Sequence, residues 1–121
     1  MPVRKILIVD DSPTDRQFLL EALSRAGYQC VTADNGDQAI VKSKTERPDL
    51  ILMDVVMPGT SGFQATRAIM RDDATKHIPI IMCTSKSQET DRIWGLRQGA
   101  RDYLVKPIDA KELVARIVAL P

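Results

Sequence analysis

Residues 5–13 of the chain read KILIVDDSP. The apolar run from Ile6 to Val9 is continuous rather than alternating, which is typical of a strand that is covered on both faces of a parallel sheet. Two aspartates follow the run directly, and Ser12 then precedes a proline, as a cap residue does before the first helical position. The segment therefore predicts a strand, an acidic turn and a helix start, in the order of a βα unit.

Apolar runs and helical patterns alternate in the same way along the rest of the chain. The strands are predicted near residues 4–9, 29–33, 49–53, 79–84 and 102–105. The helices are predicted near residues 13–26, 36–46, 61–71, 88–98 and 109–119. Repeated βα units feed a parallel sheet, so the sequence predicts an α/β fold. Continuous apolar runs place the first, third and fourth strands centrally in this sheet.

Polar residues mark where the predicted helices begin, and glycines mark where two of them end. Serine, asparagine and aspartate side chains accept hydrogen bonds from the first backbone N–H groups, and glycine allows a left-handed terminating residue. The predicted caps and ends are Ser12, Asn35, Ser61, Asp109, Gly27 and Gly99. Apolar residues at helical spacing are expected to face the sheet, namely Leu19, Ala22, Leu23, Ala26, Leu113, Val114, Ile117 and Val118.

Length and composition narrow the class of protein. We expect 121 residues to form one domain, residues 1–121, without an output domain. With 17 basic and 16 acidic residues, the overall charge gives no case for nucleic-acid or membrane binding. The run from Ile6 to Val9 is too short for a signal peptide or a membrane span, so we expect a cytoplasmic protein without membrane insertion. Cys30 and Cys83 are too few for a disulfide framework and are expected to be buried, reduced thiols.

Polar residues follow four of the predicted strands at the point where each strand ends. These residues are Asp10, Asp11, Asp54, Thr84 and Lys106. Because ligands bind at the carboxyl ends of the strands in an open parallel sheet, the five side chains are expected to converge. Any one of these aspartates alone is more often a turn or cap residue. Their combination at one sheet edge favours a functional site.

Carboxylates that meet at one edge repel each other, and a divalent cation relieves this repulsion. Oxygen ligands select a hard ion, and Mg²⁺ typically takes one or two carboxylates together with water and phosphate oxygens. The predicted Mg²⁺ ligands are Asp10, Asp11, Asp54 and the backbone carbonyl of Val56.

A carboxylate beside such an ion can attack a phosphoryl donor and form an aspartyl phosphate. Asp54 is the candidate nucleophile, since it directly follows a central strand. Lys106 is predicted to supply a positive charge to the phosphoryl oxygens, and Thr84 a hydrogen bond.

In these features the chain resembles the receiver domains of bacterial response regulators over essentially its full length. The matching residues are Asp10-Asp11, Asp54, the segment from Met57 to Gly62, Thr84, Tyr103 and Lys106-Pro107. The resemblance implies a flavodoxin-like, doubly wound five-stranded parallel sheet of order 2-1-3-4-5, with five helices and a cis peptide before Pro107. It also implies Mg²⁺-dependent phosphoryl transfer from a histidine kinase to Asp54. No enzymatic activity is implied apart from this self-phosphorylation and autodephosphorylation.

The resemblance further implies a switch. On phosphorylation the Thr84 hydroxyl moves toward the phosphoryl group and the Tyr103 ring rotates inward, which changes the surface of the fourth helix, fifth strand and fifth helix. A downstream protein is expected to bind there. Within the family, residues 62–67 and 88–104 are similar to the single-domain regulators of the type IV pilus chemosensory system, which control twitching motility.

Two readings of Trp94 are open. Its ring either flanks the core beside Ile93 and Leu96, which we expect to face the core, or lies exposed as an anchor for a partner. Gly95, in the middle of the same predicted helix, is expected to make this helix easier to remodel.

Two further residues lie close to the predicted phosphoryl site. Val56 is expected to hinder the hydrolytic water and to lengthen the life of the aspartyl phosphate. Lys86 is either a cation at the rim of the site or a solvated surface charge.

Two other functions are compatible with parts of this pattern. A phosphatase of the haloacid dehalogenase type also forms an aspartyl phosphate, but it requires an acid two residues after the nucleophile, where this chain has Val56. The protein is alternatively a phosphate sink for its kinase without a downstream target. No glycine-rich nucleotide-binding motif of the Rossmann or Walker type follows the first strand.

Overall fold

In a computed structural model, which describes residues 2–121, five parallel strands form one sheet in the order β2-β1-β3-β4-β5. The strands are β1 (Lys5–Val9), β2 (Gln29–Ala33), β3 (Leu50–Met53), β4 (Ile80–Thr84) and β5 (Asp102–Val105). The helices are α1 (Pro13–Arg25), α2 (Gly36–Thr45), α3 (Gly62–Arg71), α4 (Glu89–Gln98) and α5 (Ala110–Val118). The flavodoxin-like architecture and its strand order are confirmed. Each bound lies within one residue of its prediction, largely because the predicted helices included their cap residues.

Two apolar layers cover the two faces of the sheet. Residues alternate between the layers along each central strand, so that Leu7 and Ile51 belong to one layer while Ile8 and Leu52 belong to the other. Helices α2 and α3 cover the first layer, and α1 and α5 cover the second. This double coverage explains the continuous apolar runs, since every residue of β3 and β4 is buried.

The predicted sheet-facing positions of α1 and α5 are partly confirmed. Leu19, Leu23, Leu113 and Ile117 are buried in the second layer. Ala26 is exposed, and the Val118 side chain is 73% exposed, so the prediction is wrong for these two residues. Both lie at the ends of their helices, where the apolar periodicity continues past the last contact with the sheet.

The predicted caps hold the helix starts. Ser12, Asn35, Ser61 and Asp109 each accept a hydrogen bond from a backbone N–H of the first turn. Gly27 and Gly99 have φ of 97° and 117°, the left-handed conformation expected of terminating glycines. The caps of α1 and α3 matter for the site, because these helices begin directly behind the loops that follow β1 and β3.

Two smaller expectations concern single features of the chain. Cys83 is buried and Cys30 is partly buried, and neither forms a disulfide. Within residues 2–121, no helix combines the length and the apolar character that crossing a membrane would require.

Candidate functional site

Three aspartates lie together at the carboxyl ends of β1 and β3. One carboxylate oxygen from each of Asp10, Asp11 and Asp54 lies within 4.8 Å of the other two. We call these three residues the acidic edge. Asp10 and Asp54 are 1% and 5% exposed, whereas Asp11 is exposed to solvent. The sequence therefore predicted correctly that these three side chains converge.

Backbone hydrogen bonds fix the two buried aspartates. The Asp54 N–H donates to the Val9 carbonyl at 2.9 Å, and the Asp10 N–H donates to the Ala33 carbonyl at 3.1 Å. Both bonds continue the sheet beyond the strand ends. Each carboxylate also has one oxygen held by a backbone N–H: Ser12 donates to Asp10 Oδ1 at 2.9 Å, and Val55 donates to Asp54 Oδ1 at 2.8 Å. Main-chain groups therefore position Asp10 and Asp54.

Lys106 crosses to the acidic edge from the end of β5. Its Nζ lies 2.8 Å from Asp10 Oδ2, 2.8 Å from Asp15 Oδ2 and 3.4 Å from Asp54 Oδ2. The peptide bond between Lys106 and Pro107 is cis, as the family resemblance implied. The prediction that Lys106 lies beside Asp10 and Asp54 is therefore confirmed.

Sequence reasoning missed Asp15 as a member of this cluster. It belongs to the first turn of α1, where its backbone N–H donates to Ser12 Oγ at 3.3 Å. Its place in the first turn of the helix that directly follows the acidic pair was the available signal. Arg16 was also missed, and its Nη1 donates to the Asp10 carbonyl at 2.7 Å.

The electrostatics of the cluster set the protonation of its central groups. Burial raises the pKa of Asp54 to about 6, and the negative charge of Asp10 adds to this rise, while the Lys106 ammonium and the Val55 N–H oppose it. Burial alone would lower the pKa of Lys106, but hydrogen bonds to Asp10 and Asp15 and the nearby carboxylates hold it above its usual range. At neutral pH, Asp54 is thus mostly a carboxylate and Lys106 an ammonium.

The donor set fits a hard divalent cation. Three carboxylates contact the Lys106 ammonium and that of Asp11 lies close to two of them, so the cluster carries an excess of negative charge in a partly buried place. The ligand atoms are all oxygen, the type that Mg²⁺ selects. The Val56 carbonyl, predicted as a further ligand, belongs to the loop after Asp54, and Val56 is 54% exposed. Its role as a ligand stays a prediction.

The loop between Asp54 and α3 folds back tightly on the acidic edge. The Gly62 N–H donates to the Val55 carbonyl at 2.9 Å. A Cβ at position 62 would lie 1.9 Å from the Asp54 carbonyl oxygen, so only glycine fits at this close approach.

The two predicted switch residues meet at the backbone of a single residue. Thr84 is fully buried and its Oγ1 accepts from the Lys86 N–H at 3.2 Å. Tyr103 is 7% exposed, so its ring already lies inward, and its hydroxyl donates to the Lys86 carbonyl at 2.8 Å. The Lys86 side chain is 43% exposed and its Nζ lies 3.7 Å from Asp91 Oδ1, which agrees with the reading of a surface charge.

Helix α4 contacts the sheet through Gly95. A Cβ at this position would lie 2.7 Å from Met82 Sδ and 3.1 Å from Tyr103 Cδ2, so the helix backbone approaches both side chains closely. Ile93 and Trp94 are 43% and 48% exposed and lie outside both core layers. The expectation that Ile93 faces the core is wrong, because the close approach of Gly95 turns its neighbours outward. Of the two readings of Trp94, the structure favours the exposed ring.

Comparisons with known proteins agree with this geometry. Residues 6–118 match the family described as the response regulator receiver domain. Protein PilH of Pseudomonas aeruginosa is 51% identical over 116 residues, which cover 96% of each chain. The solved structure of the chemotaxis protein CheY4 of Vibrio cholerae superposes with a TM-score of 0.91 at 34% identity, covering 98% of this chain and 99% of that chain.

A further similar structure contains a metal. It is the receiver domain of the sensor histidine kinase PA1611 from Pseudomonas aeruginosa, solved with a magnesium ion coordinated in the active site cleft. Its TM-score is 0.87 at 33% identity, and the match covers 95% of this chain and 94% of that chain.

Proposed function

Because the chain belongs to the response regulator receiver domain family, we propose that it accepts a phosphoryl group on Asp54 and passes the signal to other proteins. The observation that carries this proposal is the convergence of Asp10, Asp11 and Asp54, with the Lys106 ammonium paired to Asp10 and Asp54. The proposed donor is the phosphohistidine of a histidine kinase, as the resemblance implied. The protein is thus a receiver that is itself modified, with autodephosphorylation as its only turnover.

Asp10, Asp11 and Asp54 are the proposed Mg²⁺ ligands, together with the Val56 carbonyl. When bound, Mg²⁺ would neutralise these carboxylates and the oxygens of the incoming phosphoryl group. The magnesium ion in the PA1611 receiver domain supports this assignment.

The transfer itself is a displacement at phosphorus. A carboxylate oxygen of Asp54 forms the new P–O bond while the P–N bond to the donor histidine breaks, and the bonding pair leaves with the imidazole nitrogen. The Val55 N–H holds one oxygen of the Asp54 carboxylate and so fixes its orientation. A pKa of about 6 keeps Asp54 ionised at neutral pH, as a nucleophile must be.

Lys106 and Thr84 are proposed to contact the transferred group. Lys106 Nζ already lies 3.4 Å from Asp54 Oδ2, so a phosphoryl oxygen on Asp54 would come within its reach. A Thr84 hydroxyl drawn to the phosphoryl group would give up the hydrogen bond that it accepts from the Lys86 N–H. Since the Lys86 carbonyl also holds Tyr103, this exchange supplies the differential contact that a population shift needs.

The proposed output surface comprises α4, β5 and α5. It presents the exposed apolar side chains of Ile93, Trp94 and Val105, and aromatic residues often anchor protein interfaces. A downstream protein is proposed to bind there.

The phosphorylation of Asp54 is tested with acetyl phosphate as a small donor in the presence of Mg²⁺. Wild-type protein should gain one hydroxylamine-labile phosphoryl group by mass spectrometry, and Asp54→Asn should gain none. Asp73→Asn is a matched control, because this aspartate is exposed and pairs only with Lys76. Labelling of Asp54→Asn equal to wild type would refute the proposal.

A phosphate sink is separated from a signalling protein by a second experiment. The protein loaded with Mg²⁺ and beryllofluoride, which mimics the aspartyl phosphate, is used to capture partners beside the unloaded protein. A partner that binds only the loaded form supports signalling, and capture of the kinase alone favours the sink. The phosphatase alternative stays unsupported, because Val56 occupies the position of its second acid.

The similarity of residues 62–67 and 88–104 to type IV pilus regulators extends the proposal to control of twitching motility. The 51% identity to Protein PilH over nearly the whole of both chains supports a narrow relationship within the family. The test is deletion of the gene and complementation with wild type or Asp54→Asn. Altered twitching zones that only the wild-type gene restores would support this role, and unaltered zones after deletion would exclude it.

A further inference from the structure

A concave surface between α3 and α4 carries positive charge and an aromatic ring. We call it the α3–α4 cleft, and its volume is about 310 Å³. Its lining residues are Arg67, Met70, Arg71, Trp94, Arg97 and Gln98. The cleft is separate from the acidic edge, with which it shares no residue.

Three arginines face this cleft without acidic partners. Arg67 and Arg71 lie one turn apart on α3, and Arg97 faces them from α4. Within residues 2–121, none of the three forms a salt bridge or a side-chain hydrogen bond, and no acidic residue lines the cleft. The arrangement places Arg71 and Arg97 in the last turns of their helices, where a cation is favourable, and sets Arg67 beside the like charge of Arg71 at i, i+4, which is unfavourable. It leaves several guanidinium donors free for an anion.

Trp94 and Met70 supply the apolar part of the cleft. Trp94 is 48% exposed, although burial of an aromatic residue is favourable. Met70 packs against the apolar layer beneath and lies beside Gly99, where a Cβ would come within 2.5 Å of Met70 Cγ. The cleft thus combines an accessible aromatic surface with a fixed apolar floor.

We propose that the α3–α4 cleft binds a nucleotide, with its phosphates on the arginines and its base stacked on Trp94. Guanidinium groups present planar pairs of donors that match phosphate oxygens. Aromatic side chains accept bases by stacking, whatever the base. The cleft volume is at the lower end of that of small-molecule sites, which suits one mononucleotide. The site shares no residue with the proposed chemistry at Asp54, and it shares Trp94 with the proposed output surface.

Trp94 is the only tryptophan of the chain, so its fluorescence reports on this cleft alone. The protein is titrated with GDP and with ADP in EDTA, which removes divalent cations from the acidic edge. Inorganic pyrophosphate and guanosine are titrated separately. Pyrophosphate offers phosphates without a base, and guanosine offers a base without phosphates. We expect saturable quenching by the nucleotides, with at least about tenfold weaker binding of pyrophosphate and of guanosine.

Variants locate the site. Arg67→Gln and Arg97→Gln should each weaken nucleotide binding about tenfold, because each removes a charge-assisted hydrogen bond. Arg25→Gln, an exposed arginine of α1 outside the cleft, should leave the affinity unchanged. Labelling of Asp54 by acetyl phosphate should be unaffected in all three variants, which also shows that they are folded.

Four results would overturn the proposal. The first is the absence of saturable quenching below about 1 mM nucleotide. The second is pyrophosphate binding as tightly as GDP, which would indicate a simple anion site. The third is an unchanged nucleotide affinity in Arg67→Gln and Arg97→Gln. The fourth is binding of a glutamate-rich helical peptide without binding of nucleotides, which would assign the cleft to an acidic protein partner.

Discussion

The acidic edge and helix α4 flank the same sheet, but different forces hold them. Asp10 and Asp54 follow β1 and β3, two neighbouring strands inside the sheet, and main-chain hydrogen bonds continue past those strands to hold both residues. In α4, Gly95 is the buried residue, and the helix rests on Met82 and Tyr103 through backbone. The comparison teaches that the sheet positions the residues proposed for phosphoryl transfer, whereas the proposed partner surface depends on a helix with few buried side chains. Regions of the second kind shift between states most readily.

The largest expected effect is on the rate of Asp54 labelling, and it compares one lysine from each region. Lys106→Gln removes the ammonium beside the buried Asp10 and Asp54 and is expected to slow labelling of Asp54 by acetyl phosphate about a hundredfold. Lys86→Gln is the control, since its Nζ pairs with Asp91 on α4, and its labelling rate should stay near wild type. Similar rates for the two variants would contradict the division into a chemical and an output region.

The next effect concerns stability on the α4 side. Gly95→Val places methyl groups against Met82 and Tyr103 and should lower the free energy of unfolding by about 1–3 kcal/mol, measured in urea. Ala115→Val, at an exposed position of α5, should cost only a few tenths of a kcal/mol, about its loss of helix propensity. Equal losses in the two variants would mean that the close approach of Gly95 carries no packing constraint.

A smaller effect links the acidic edge to pH in metal-free protein. Folding raises the pKa of Asp54 from 3.8 to about 6, so between these pH values the folded protein holds a proton that the unfolded chain has released. The free energy of unfolding should therefore fall as pH rises from about 4 to about 6, by ~1 kcal/mol after allowance for solvent screening.

Urea unfolding in EDTA at several pH values measures this contribution. Asp54→Asn should lack it, so that its stability relative to wild type increases across the same pH range. Asp73→Asn should keep the wild-type pH dependence. A constant difference between Asp54→Asn and wild type would show that Asp54 does not titrate in this way.

The smallest effect is kinetic and lies beside the acidic edge. Val56→Asn should speed hydrolysis of the aspartyl phosphate by about threefold, because an amide can bind the attacking water where the exposed valine side chain excludes it. Loss of the phosphoryl group is followed by mass spectrometry after the donor is removed. Val118→Asn, exposed on α5, is the control, and an unchanged or slower rate in Val56→Asn would sink the idea.

The fold and the acidic edge were predictable from sequence because one rule governs both. Uninterrupted apolar runs identify buried parallel strands, and residues that follow such strands share an edge. Asp10, Asp54 and Lys106 each directly follow a strand, so their convergence followed once the strands were assigned. The strand order and the cis peptide required the family resemblance in addition.

Features that depend on side-chain reach or on helix orientation were not predictable in this way. Asp15 forms an ion pair with Lys106 because the first turn of α1 brings its carboxylate to the lysine. The place of Asp15 in the sequence of this turn does not reveal that direction. Ile93 was misplaced because apolar periodicity assumes that side chains face the core, whereas in α4 the backbone of Gly95 does so. The meeting of Thr84 and Tyr103 at the Lys86 backbone is a tertiary contact without a sequence signal.

The most direct test of the central claim is a crystal structure with Mg²⁺ and beryllofluoride. The proposed roles predict the metal on Asp10, Asp11, Asp54 and the Val56 carbonyl. They also predict the fluoride adduct on Asp54, with both Lys106 Nζ and Thr84 Oγ1 within hydrogen-bond distance of its fluorines. A Lys106 that stays on Asp10 and Asp15 beside an unmodified Asp54, under conditions that saturate the protein with both reagents, would contradict the account.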